Sequence, residues 1–147
     1  MIRLSQRVLA TVAALGLLLA PVAAQTPAPK RKLIAPQRGE ATLEITKPDT
    51  KLSGKEVVTV MMVKNVSPLP VAGLKIEENW YDKAGTPQGG DVYRHPRPLM
   101  PNEVIRVQLT TPRRPSMNSN QYQFTHANGN IKTTVVPKLE VTPPPTS

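Results

Sequence analysis

A chain of 147 residues suits one domain with extensions. It has no cysteine, which excludes disulfide staples and thiolate metal sites, so stability must come from an ordinary core. Its 17 prolines argue against a helical bundle, since an interior proline removes a backbone donor, and its formal charge of +9 admits attraction to anionic polymers or lipid headgroups.

Residues 1–24 have the three parts of a secretory signal. Arg3 and Arg7 form a positive start, Val8 to Ala20 an apolar run, and Val22-Ala23-Ala24 the small residues read at a cleavage site. The run is short for a membrane span, which needs about 20 residues. No cysteine follows it to carry a lipid, and no adjacent arginine pair precedes it. The mature protein is therefore expected to be exported and soluble, periplasmic or extracellular, after cleavage near Ala24. Losing Arg3 and Arg7 would lower its charge to +7.

Gln25 to Gly39 reads as a proline-bearing, basic linker, with Thr26-Pro-Ala-Pro29 favouring extended conformations and Lys30-Arg31-Lys32 adding a charge cluster. Residues 40–138 are expected to form one β-domain. Residues 139–147, which contain three consecutive prolines, are expected to be a disordered tail.

Within the domain the apolar period is two. Glu40 to Thr46 places Leu43 and Ile45 on one face, and Pro48 and Asp49 end it. Glu56 to Asn65 is apolar on both faces, as for a strand that is central or covered twice. Gly73 to Asp82 puts Leu74, Ile76 and Trp80, the only tryptophan, on one face; we expect it to be the core strand and to pair with Val57–Asn65. Lys83 to Gly90 reads as a loop, Asp91 to Arg94 as a short edge strand able to accept a partner strand, and His95-Pro-Arg-Pro98 as its end. Val104 to Thr110, Gln121 to His126 and Ile131 to Val136 complete the set, with Asn128-Gly129 supplying two positive-φ residues for a tight hairpin. About seven short strands and a signal helix alone describe an all-β, antiparallel sandwich with proline-rich ends.

Val63-Lys-Asn65, then a polar turn and Trp80-Tyr81-Asp82-x-x-Gly85, then Leu99-x-Pro-Asn-Glu103 and Tyr122-x-Phe124, resemble the FxLYD-type domains of exported bacterial proteins. Glu78 stands where that family has its first aromatic, Trp80 where it has leucine, and Asn102 where it has a turn glycine. The resemblance covers Lys55 to Pro137. It implies an immunoglobulin-like sandwich, an exported setting and no catalytic residues. Each matching residue also has a structural reading: Trp80 as core, Tyr81 and Asp82 as strand end, Asn65 as organiser of the preceding turn, and Gly85 as a turn residue.

No constellation of acid, base and nucleophile emerges, so no enzyme activity, cofactor or metal is expected. His95 and His126 lie far apart in sequence, and a site with Asp91 would need chance proximity. Glu78 falls on the apolar face, where a carboxyl group must be partnered; Arg106 is the cation expected to pair with it. The sequon Asn65-Val-Ser67 is discounted because Pro68 follows and the leader is bacterial in type. The candidate binding residues are Arg94, Arg97, Arg113 and Arg114 with Tyr93, in two loops expected at one end of the fold. The expected role is a non-catalytic structural or interaction module of the cell envelope. Its expected partner is another envelope protein, with an anionic polymer or membrane surface as the alternative; export disfavours nucleic acid, and oligomeric state is left open.

Overall fold

The structure, a computed structural model, describes residues 33–141. The expected leader, most of the linker and the last residues of the tail lie outside that range. The described residues form eight strands and no helix: β1 Ala41–Thr46, β2 Asp49–Ser53, β3 Glu56–Asn65, β4 Lys75–Tyr81, β5 Pro87–Arg94, β6 Val104–Pro112, β7 Ser119–His126 and β8 Gly129–Val136.

They make one curled mixed sheet in the order β2-β3-β1-β8-β7-β4-β5, with β6 on the opposite edge of β3. The centrality expected of β3 follows: β2 and then β1 share one of its edges, and β6 runs along the other. The expectation of a wholly antiparallel arrangement is corrected by one pair. β1 and β8 run parallel from Ala41 beside Ile131 to Thr46 beside Val136. β8 leaves β7 after only two residue pairs and crosses to β1, which joins the two halves of the sheet.

β4 does not pair with β3. It lies between β5 and β7, and faces β3 across the interior, where Thr59 bonds Glu78. The core between them holds Leu43, Met61, Val63, Leu74, Ile76, Leu99, Val107 and Leu109. Each such side chain removed from water contributes about 1.5–3 kcal/mol. Trp80, expected in the core, is only partly buried and belongs neither to this cluster nor to the side chains packed against it.

Two strands exceed their sequence expectation. β2 is exposed at all five positions, so no apolar alternation announces it; it forms because Gly54, at φ 59, turns it back against β3. β5 begins at Pro87, inside the expected loop. Gly90 belongs there because a Cβ would collide with the Glu78 carbonyl oxygen on β4. The β7–β8 hairpin turns at Ala127-Asn128, and Asn128 has no positive φ; among non-glycine residues described only Asn102 does, at φ 63.

The end of the linker is fastened to the domain. The Gln37 N–H donates to the Pro70 carbonyl at 2.7 Å and the Gly39 N–H to the Asn128 carbonyl at 3.0 Å. His126 Nε2 bonds the Gly39 carbonyl at 2.8 Å. The ordered domain thus begins before Glu40.

Candidate functional site

Strand alternation puts Thr59 of β3, Glu78 of β4 and Thr111 of β6 inside, in one polar layer under the aliphatic core. Glu78 is 1% exposed. Its Oε1 accepts from Thr59 Oγ1 at 2.7 Å, Asn120 Nδ2 at 3.0 Å and the Tyr122 hydroxyl at 3.1 Å. Its Oε2 accepts from Thr111 Oγ1 at 3.3 Å. No cation is among these partners. Arg106 is on the outer face of β6, bonded to Gln108, so the expected Arg106–Glu78 pair does not exist. Neutral donors do the work that a cation was expected to do. Burial pushes the Tyr122 phenol above its ordinary value; the Thr59 and Thr50 hydroxyls oppose this, and Glu78 adds to it.

The layer reaches the surface through Thr50, whose hydroxyl lies 3.0 Å from that of Thr59. Thr50 borders a groove of about 240 Å³ that also meets Lys51, Trp80, Arg113, Arg114 and Met117. The loop carrying the arginines is held on both sides. The Arg113 N–H donates to the Lys55 carbonyl at 2.8 Å, the Asn118 N–H to the Tyr81 carbonyl at 2.8 Å, and Ser116 Oγ to Gln88 at 2.6 Å. Arg113 and Arg114 have no acidic partner among the described residues, whereas Lys51 meets Asp49 in an exposed pair. The Trp80 Nε1 hydrogen is covered and has no acceptor.

The other candidate residues are elsewhere. Arg97 forms a two-pronged pair with Glu103, next to the start of β6, whereas Arg113 follows its end. The nine residues of β6 separate them, about 30 Å of extended chain. Arg94 is exposed at the end of β5. Tyr93 packs against the core and its hydroxyl meets His95 Nδ1 at 2.9 Å. β5 ends the sheet order, as expected of an edge strand, and on its free side Asp91 Oδ2 accepts from the Thr110 N–H of β6 at 2.7 Å. Of the five candidate binding residues, Arg113 and Arg114 share this groove. Asp82 closes the turn after β4 by accepting from the Ala84 and Thr86 N–H groups, and Gly85 sits at φ 80 within it. His95 and His126 each have their own partner, Tyr93 and Gly39.

Sequence reasoning missed Thr59, Thr111, Asn120 and Lys51. The first two were detectable, since their position parity in β3 and β6 matches that of the inward Met61 and Leu109.

The Arg97 cluster gives a pH dependence. Burial lowers the His95 pKa below its ordinary 6.5, the Arg97 charge lowers it further, and Glu103 opposes both. Burial would raise the Glu103 carboxyl, but the bonds from Arg97 and the Met100 N–H outweigh it and hold the group below its ordinary 4.5. For each group the unfolded chain binds more protons in the window between the two values, so stability falls as pH falls. The His95 contribution is complete above 6.5 and is lost first; that of Glu103 is lost below 4.5. Urea midpoints should therefore drop between about pH 7.5 and about pH 5, and less so in His95→Gln. An equal drop in that variant would remove His95 as the cause.

No protein-family model and no curated protein matches the chain. Among solved structures it is similar to IrmA from Escherichia coli, at 15% identity and a TM-score of 0.44, over 69% of this chain and 98% of that one. At that level the likeness bears on neither family nor function.

Proposed function

We propose that this chain is a non-catalytic recognition module exported to the cell envelope, an immunoglobulin-like sandwich of the FxLYD type that takes up an anionic partner. The observation behind this is the groove in which Lys51, Arg113 and Arg114 meet beside Trp80 with no acidic side chain in its lining. A concave basic site raises the local concentration of anions and favours their docking.

Retention on immobilised heparin tests it. Arg113→Glu with Arg114→Glu should weaken binding about tenfold and flatten its salt dependence. Arg94→Glu with Lys132→Glu makes the same change in net charge at exposed positions outside the groove, and should have little effect. Equal losses in both would reduce the attraction to overall charge and end the proposal.

A second reading, a protein partner bound by strand addition, is favoured by β8. Beyond its two pairs with β7, the outer edge from Ile131 to Val136 has no partner strand among those described, and Val135 is 63% exposed.

A further inference from the structure

The groove beside Trp80 does not stand alone. Two more depressions, of about 340 and 380 Å³, adjoin it around the 113–118 loop, and all three share Pro115. Met117 links it to the first, which carries Lys83 and also Asp82, whose carboxylate is taken up by the Ala84 and Thr86 N–H groups and Gln88, and Arg113 links it to the second, which carries Lys55. A run of cations along a shallow, continuous concavity fits an extended ligand with charge repeated along its length better than a compact one. The middle of that run is lined by the partly exposed Trp80 with Leu52 and Met117, an apolar surface between positive ends.

We propose that this surface binds an acidic polysaccharide, with the apolar face of one uronate ring laid against Trp80 and carboxylates of the chain held by Arg113 and Arg114. The proposal rests on the anionic-partner reading above and names its chemical class. A pyranose presents a flat hydrocarbon face to an aromatic ring while its carboxylate lies at the rim, where a guanidinium fork meets it with two parallel bonds. A polyphosphate lacks the apolar face. Single-stranded nucleic acid would want several aromatics for successive bases, and the groove has one.

Trp80 is the only tryptophan, so its fluorescence reads the groove directly. Titration of the mature chain with oligogalacturonate should give a saturable change, and neutral maltooligosaccharide none. Arg113→Ala with Arg114→Ala should weaken the oligogalacturonate response about tenfold, or about 1.4 kcal/mol. Calorimetry on Trp80→Phe, which keeps a ring, should give an affinity within about threefold of the parent. Trp80→Leu, checked for folding by its melting curve, should lose about tenfold. Polyphosphate, polyglutamate or an oligonucleotide binding as tightly as the uronate would overturn the sugar assignment and keep the anionic reading. Binding of no polyanion would overturn both, and full affinity in a folded Trp80→Leu would remove the stacking.

Discussion

Glu78→Ala is expected to destabilise the domain by about 3 kcal/mol, read as a lower guanidinium midpoint with an unchanged slope. The alanine would leave the buried Thr59 Oγ1 and Thr111 Oγ1 and the part-buried Asn120 Nδ2 and Tyr122 hydroxyl without their acceptor. Some of that loss is recovered. Thr59 retains Thr50 nearby, and Asn120 retains the Tyr122 oxygen at 2.7 Å. Glu78→Gln should come within about 1 kcal/mol of the parent. Its amide oxygen can take the place of Oε1, which accepts three bonds, and its NH₂ group can donate to Thr111 Oγ1 in place of Oε2. Replacing Thr59, Glu78 and Thr111 together with Val, Leu and Val should lie closer to the parent than Glu78→Ala does. Buried polar groups exchanged as a set for well-packed apolar ones leave fewer orphans. A Glu78→Ala variant within about 0.5 kcal/mol of the parent would show that the layer bears no structural weight.

That layer also shows what local pattern can and cannot reveal. Glu78 was legible as an anomaly because it broke the apolar face formed by Ile76 and Trp80. Its partners were not, because they come from β3, β6 and β7, and period-two alternation says which face a residue takes but not which strand stands opposite. Arg106 was assigned by charge alone, although its parity placed it outside, alternate with the buried Val107 and Leu109. A large aromatic on an apolar face reads as core, as Trp80 does in the sequence. The centre went instead to aliphatic residues such as Leu43, Met61 and Ile76, and the indole was left at the mouth.

Strand boundaries failed for a related reason. β2 has no buried position, and β5 contains Pro87, Gly89 and Gly90, which read locally as loop. Gly90 is demanded by the approach of the Glu78 carbonyl from a neighbouring strand, a contact no local signal encodes. The parallel run of β1 with β8 joins residues about 90 positions apart and was invisible for the same reason. The two arginine loops were grouped by composition, yet β6 holds them at opposite ends. Arg97 is occupied by Glu103, while Arg113 and Arg114 have no acidic partner among the described residues. The groove is where the polar layer surfaces, so variants that preserve the layer, such as Glu78→Gln, should retain both Trp80 placement and binding.

The second large effect is expected at Asn65, which is fully buried at the end of β3. Nδ2 donates to the Leu69 carbonyl at 3.0 Å and the Leu99 carbonyl at 2.9 Å, and Oδ1 accepts from the Ser67 N–H at 2.8 Å. Its backbone carbonyl accepts from Asn102 at 2.7 Å, which fastens the turn where Asn102 holds its positive φ. One side chain therefore ties two loops that would otherwise bury unpaired backbone groups. Asn65→Ala should cost about 2–3 kcal/mol, since three backbone partners lose their bond. Asn65→Asp should cost more, about 3–4 kcal/mol, despite changing a single atom. It keeps the bond to Ser67 but sets a carboxyl oxygen against two carbonyl oxygens with no room to separate. The order of the two variants is the decisive measurement, made by guanidinium unfolding above pH 6.5, where His95 no longer contributes a slope. If aspartate proved no worse than alanine, the two Nδ2 bonds would not be what holds the loops. The same Nδ2 is the acceptor atom of the Asn65-Val-Ser67 sequon. Its commitment to two carbonyls explains physically why the folded chain should refuse a glycan there, and a glycosylating host should return it unmodified at Asn65 by mass spectrometry.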